Sequence, residues 1–466
     1  MLVCAWSWAG VARAQGAAMR PDQHDFHAIF RTLVETDTSY PAGDCTQAAR
    51  RMLAFLQDSG FGSAEAEVFV PEGHPKEGGL VARLAGTDPS LGAMLLVDHI
   101  DVVEADARDW GRDPFRLLEK DGYFIARGVI DDKALAAIWV DSLIRMKKAG
   151  FRPRRTIKVA LTCGEESSPW INGVNWLIEN RPETVTADFA LNEGGHGVAD
   201  SDGKPLALYL AVGEKQAVNF EIAARSPGGH SSRPTPDNAI DRLASALLQI
   251  KAAPFPVRPS PTTQAYFARM SGIVGGDMGR SMAAFARDPD DAVAMATLTG
   301  DVTYNAMLRT TCVPTVVSGG GATNALPQNA MATIQCRLLP GDDLKKVRDH
   351  LANAIADTDV TLSLAAGQKP DVVAVPPRLD TAILGPAEEM AGRHFPGIPV
   401  VPNLLTAGTD GKYLSTFGVP TYGVPGIVLD GDGNGAHGVN EKIRIDSIYR
   451  GRDYLYDLLM RYAKGG

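Results

Sequence analysis

The chain has 466 residues, of which 45% are hydrophobic, 22% charged and 7% aromatic. That balance excludes fibrous and disordered classes and leaves room for two or three domains at roughly 150 residues each. The net charge of -9, with no long basic run, excludes a surface that tracks nucleic-acid phosphates and leaves small molecules and peptides as partners.

Residues 1–14 are a short, mostly apolar run closing on Ala12-Arg13-Ala14, the small-x-small form of a signal-peptidase site, so the expected location is periplasmic or secreted. No other stretch reaches the roughly 18 apolar residues of a membrane span. Over 22–213, short apolar runs that stop at polar residues alternate with helical spacing, as in an α/β layer fold. GAMLLVDHID, TIKVALTCGEE and DFALNEGG read as strands covered on both faces, and ALAAIWVDSLIRMKKAG reads as a helix closed by lysines and Gly150. Ligands of such sheets gather beyond the carboxyl ends of the strands, where His99, Asp101, Glu165, Glu166 and Glu193 all fall. Over 214–366 the order becomes strand, helix, a long Pro- and Met-bearing insertion, strand, strand, helix, strand. This βαββαβ order suggests a ferredoxin-like α+β unit inserted into the larger domain, which resumes over 367–466.

Each chemical feature has a bland reading when taken alone. His99 and Asp101 form HxD after a strand, suited to a metal ligand and its orienting carboxylate, but also to an ordinary turn histidine. Asp131 and Asp132 open a helix, where acidic residues also serve as caps. Glu165 and Glu166 repel each other unless a cation lies between them or one is protonated. Glu193 ends a third strand, and His437 lies in a Gly-rich loop far downstream. Jointly, these histidines and carboxylates make the nitrogen–oxygen donor set that zinc accepts without any thiolate. The five cysteines, Cys4, Cys45, Cys163, Cys312 and Cys336, form no CxxC pair. Neither a thiolate zinc site nor a disulfide framework is indicated, although a single bridge stays open.

The ordered motifs HIDVV, WGRDPF, ARGVIDDK, GEE, NEGG, SPGGHSS and AHGVNE make nearly the whole mature chain resemble the di-zinc metallopeptidases that include aminoacylase, acetylornithine deacetylase, carnosinase and carboxypeptidase S. NEGG most resembles the carboxypeptidase S branch. The resemblance implies a zinc-exopeptidase-like catalytic domain with an inserted dimerisation (lid) domain, a homodimer, and two zinc ions for which cobalt or manganese can substitute. It implies that Asp131 bridges the metals, with His99 and Glu193 on one and Glu166 and His437 on the other. Asp101 would orient His99, and Glu165 would be the general base. His230 would reach the scissile carbonyl oxygen across the dimer, while Arg337, Asn324 and Lys412 would hold the substrate carboxylate and carbonyl. The implied substrate is a peptide or N-acyl amino acid with a free carboxylate.

Three positions depart from the family pattern. Gly164 stands where an acidic residue or asparagine is common, Ala134 where glycine is common, and Lys412 where arginine is frequent. Lysine lacks the planar fork of arginine, which alters the anchor. Two rival readings are a calcium-binding module and a non-catalytic dimerisation protein. Asp430 to Gly435 followed by Glu441 matches the EF-hand loop literally, but the preceding PTYGVPGIVL cannot form the incoming helix. The full ligand set argues against a silent protein, and no GxSxG elbow supports a serine hydrolase.

Overall fold

Each of the three apolar runs becomes a strand of one large sheet in the computed structural model, which describes residues 19–166, 171–366 and 376–465. Ile157–Thr162, Met94–His99, Phe189–Asn192 and Thr421–Gly423 lie side by side and parallel at its centre. Every residue of Met94–His99 is buried, which is why the run shows no polar alternation. Antiparallel strands extend the sheet, Gly79–Leu84 and Ala66–Phe69 on one side and Pro205–Glu214 on the other.

The helix Lys133–Lys148 is buried along nearly its whole length. It is sandwiched between the sheet and the helices Pro21–Val34 and Ile445–Ala463, whose apolar faces join it in the main core. Its N-cap is Asp132, which accepts the Leu135 amide at 3.2 Å, and the preceding Asp131–Asp132 peptide is cis. The cap therefore fixes where Asp131 leaves the helix.

A second sheet runs in the order Thr311–Gly319, Asn329–Leu338, Gln216–Arg225, Val360–Leu364, antiparallel throughout. The helices Ala239–Ala252 and Leu344–Ile355 cover one face and close a separate core. This is the ferredoxin-like order that the strand and helix sequence suggests. The insertion within it forms four helices, Pro261–Val274, Gly276–Arg287, Ala292–Gly300 and Val302–Leu308. These do not extend the small sheet. Tyr266, Phe267, Met282 and Phe285 instead pack on Ala207 and Val401 of the large sheet, so 214–366 is divided between two cores. Buried Lys215, at the turn between the two sheets, donates to the Ala306 and Arg309 carbonyls at 3.0 and 2.9 Å and fixes the last of those helices there.

The cysteines correct the expectation that no disulfide framework exists. Cys45 bonds Cys163 across 118 residues, and Cys312 bonds Cys336 across adjacent strands. Spacing did not reveal the first bridge because its partners meet only when the helix Cys45–Asp58 docks beside the end of Ile157–Thr162. The signal-like segment 1–14 and the return to the larger domain at 367 lie outside the described residues.

Candidate active site

Three parallel strands end together, and their ends carry the titratable groups. His99 is the last residue of its strand and pairs with Thr162, three residues before Glu165, while Glu193 directly follows Asn192. His99 Nε2 lies 3.3 Å from Asp131 Oδ1 and 3.8 Å from Glu193 Oε1. His437 Nε2 lies 3.0 Å from Asp131 Oδ2 and 2.7 Å from Glu166 Oε1. Asp131 thus faces one histidine with each oxygen. Ligand atoms of His99, Glu165 and Glu193, and likewise of His99, Asp131 and Glu166, lie within 4.8 Å of one another.

The hydrogen bonds fix the tautomer of His99. Its Nδ1 is 3.0 Å from the Asp101 carbonyl oxygen, which only accepts, so Nδ1 carries a proton and Nε2 is the atom aimed at the cluster. That Nε2 is buried and has no hydrogen-bond partner, and it faces carboxylates. A nitrogen lone pair opposite carboxylate oxygens is repulsive unless a proton or a metal cation lies between them, and a buried nitrogen–oxygen donor set of this kind fits a bound metal. The Asp101 side chain does something else. At 3.8 Å from Nδ1 it is too far for a hydrogen bond, and its oxygens accept the Glu165 and Glu166 amides at 3.3 and 3.0 Å. One residue therefore orients His99 through its backbone and fixes the two-glutamate turn through its carboxylate.

Crowding shifts the titrations. Burial raises Glu193 well above the carboxylate range, raises Glu166, and pushes Glu165 up to about 7. Burial also opposes ionisation of Asp131, but the adjacent His437 and His99 rings outweigh it and hold the carboxyl low. The Asp131 hydrogen bond lifts His437 to about 9. With no metal, the histidines are drawn toward the charged form by the same carboxylates that would share a cation with them.

Lys412 sits beside this cluster. Burial opposes its charge, but Tyr413, Asp410, Glu165 and Glu214 together raise its pKa. Arg337 Nη1 reaches the Gly408 end of the same segment, and no carboxylate pairs with the guanidinium among the described residues. His230 and Asn324 meet on a short ribbon in which His230 pairs with Ala325 and Ser231 donates to the Asn324 carbonyl at 3.0 Å. The Ser232 amide donates to His230 Nδ1 at 3.2 Å, leaving Nε2–H free as a donor. Among the described residues, no hydrogen bond or ion pair joins this ribbon to the His99–His437 cluster.

Several residues of the site were not singled out from sequence. Buried Asp410 accepts from Thr162 Oγ1 at 3.3 Å, and Thr409 donates to Glu214 at 2.6 Å. Their only signal was proximity to Lys412 in AGTDGKY. The EF-hand-like loop is accounted for by cations of the protein itself. Lys442 pairs with Asp432 at 2.8 Å, Arg444 pairs with Asp430, and a strand, Val428–Leu429, precedes the loop.

The N-fatty-acyl-amino acid synthase/hydrolase PM20D1 of Homo sapiens is 27% identical over 387 residues, 81% of this chain and 75% of that protein. The probable carboxypeptidase S-like 2 of Dictyostelium discoideum is 27% identical over 404 residues, 83% of this chain and 74% of that one. Among solved structures, an M20 family metallo-carboxypeptidase from Sulfolobus solfataricus superposes with a TM-score of 0.67 at 18% identity, covering 96% of this chain and all of the other. The model of peptidase family M20/M25/M40 matches residues 95–461, a span that holds His99, Asp131, Glu165, Glu166, Glu193 and His437, and the chain belongs to that family.

Proposed function

We propose that this hydrolase cleaves the amide of an N-acyl amino acid or short peptide beside a free carboxylate and releases the amino acid. The observation that carries the reading is the buried His99 Nε2, without a hydrogen bond and facing Asp131 and Glu193, with His437 mirroring it on the other Asp131 oxygen. His99, Asp131 and Glu193 would hold one zinc, and Asp131, Glu166 and His437 the other, with cobalt or manganese as substitutes. When bound, such a pair supplies Lewis acidity toward the carbonyl and a nucleophile at neutral pH.

The residues of the chain do the rest. Glu165 takes a proton from the attacking water and delivers it to the leaving nitrogen as the carbon–nitrogen bond breaks, giving a carboxylate and an amine. Distance alone does not set Glu165 apart from the ligands. Its role rests on the Asp131–His437–Glu166 contacts, which occupy Glu166 and leave Glu165 beside Lys412. His230, with Nε2–H free, is suited to donate to the carbonyl oxygen, with Asn324 beside it. Since no hydrogen bond or ion pair among the described residues links that ribbon to the cluster, we assign His230 to the site of a second copy.

A homodimer is supported by the edge strand Thr311–Gly319, where Val313, Val316 and Val317 are exposed beside unpaired backbone groups. A periplasmic or secreted location is supported by the two disulfides, which persist in oxidising compartments.

Arg337, with no carboxylate partner among the described residues and aided by Lys412, reads the substrate carboxylate. Amidating that terminus should lower kcat/KM about ten- to a hundredfold, from the roughly 1.5–3 kcal/mol of a hydrogen bond to a charged group. Arg337→Ala should lose a similar factor on the acid and little more on the amide. Equal rates on acid and amide would replace this reading with a general amidase.

A further inference from the structure

Two of the metal-ligand candidates come from loops far apart in sequence, ARGVIDDK with Asp131 and AHGVNE with His437. The loops are joined beneath the site by a buried ion pair that the mechanism does not use. Glu441 is fully buried, and its Oε2 accepts Arg127 Nη1 at 2.7 Å and the Gly128 amide at 3.0 Å. Its Oε1 accepts the Ile130 and Asp131 amides at 2.9 and 3.2 Å. The other arm of Arg127, Nη2, donates to the His437 and Gly438 carbonyls at 3.3 and 3.1 Å. Trp110 stacks 5.4 Å from the guanidinium and closes the network from outside.

His437 needs that grip. Its φ is +61°, a left-handed conformation that an L-residue holds only where its surroundings over-determine it. Its side chain is 54% exposed, so packing does little to fix the ring. What holds the backbone is a guanidinium that is itself held by a carboxylate with four donors. Glu441 falls at the last position of the EF-hand-like match, where it would bind calcium directly. Here its oxygens are taken by Arg127 and three amides.

We propose that Arg127 and Glu441 are the positioning pair that sets His437 against Asp131 and so creates the second metal position. The inference rests on the two-metal reading above. Arginine is required because one arm must reach the carboxylate while the other reaches two carbonyls, and lysine has no such fork. In the first position His99 and Glu193 touch neither residue of the pair, and only the shared Asp131 does, through its amide on Glu441.

The test is Zn2+ titration of metal-depleted full-length protein against a chromophoric chelator, for wild type, Arg127→Lys, Arg127→Met and Glu441→Gln, with circular dichroism as the check on folding. Two equivalents are expected in wild type. Arg127→Lys should bind one equivalent within about threefold of wild type and the other about ten- to a hundredfold more weakly, the scale for outer-shell partners of a metal site. Arg127→Met should be weaker again, and excess Zn2+ should restore most of kcat in Arg127→Lys. Should Glu441→Gln fail to fold, the two Arg127 variants decide the matter. Wild-type affinity for both equivalents in a folded Arg127 variant would overturn the inference, as would equal weakening of both. A wild type that takes up only one equivalent would instead overturn the two-metal reading itself.

Discussion

Glu165 and Glu166 are neighbours in sequence, yet Glu166 is engaged by His437 at 2.7 Å while Glu165 faces Lys412 and Asp410. Glu165→Gln should retain both metals and lose about two to four powers of ten in turnover, the worth of general acid–base catalysis. Near-normal turnover in a metal-replete variant would contradict the assignment. A base acts only when deprotonated, so kcat/KM should fall as pH drops through the Glu165 pKa, about 7 from burial and lower where bound cations offset it. The charged form of His437 cannot hold metal, and Asp131 raises it to about 9. Metal affinity of the depleted protein should therefore weaken as pH falls below that value, with proton release on binding, measurable by calorimetry in buffers of different ionisation heat. The placement of His99, Glu193 and the glutamate pair at strand ends was legible because each closes or follows a buried apolar run. The double use of Asp101 was not, since no sequence pattern distinguishes a residue that works through its carbonyl from one that works through its carboxylate.

The helices are tied together by another ion pair far from the chemistry. Arg452, on the C-terminal helix, is fully buried and donates to Asp141 of the central helix at 2.8 and 3.3 Å and to Asp22 of the first helix at 2.7 Å. Arg452→Met leaves buried Asp141 with only Arg145, 3.9 Å away, as a counter-charge, and should destabilise the fold by up to about 3–5 kcal/mol in denaturant unfolding, with kcat of the folded fraction unchanged. A loss below about 1 kcal/mol would show that Asp141 finds water or another partner. At this scale the sequence was informative about type and less so about packing. The central helix and the βαββαβ order followed from periodicity. The four helices between Pro261 and Leu308 have apolar faces, but only the fold shows that Phe267 and Met282 cover the large sheet. The Cys45–Cys163 bridge was equally hidden, because 118 residues of chain separate its ends.

Over the whole molecule, no hydrogen bond or ion pair among the described residues joins the cluster to the His230 ribbon. Mixing His230→Ala with Glu165→Gln protomers should therefore regain activity, because a heterodimer contains one site with both groups intact. No recovery after verified subunit exchange would speak against action of His230 in the site of the neighbouring subunit. The two-sheet architecture was readable from the change of strand order near Glu214, whereas no sequence pattern displays how the ribbon and the cluster lie relative to each other. The account stands most directly on the cluster itself, and the decisive measurement is turnover of an N-acyl amino acid as Zn2+ is added back to metal-depleted enzyme. Activity is expected to be absent at the start and to reach its plateau at two equivalents per protomer. Full turnover in the depleted enzyme, or a plateau at one equivalent, would contradict the two-metal site.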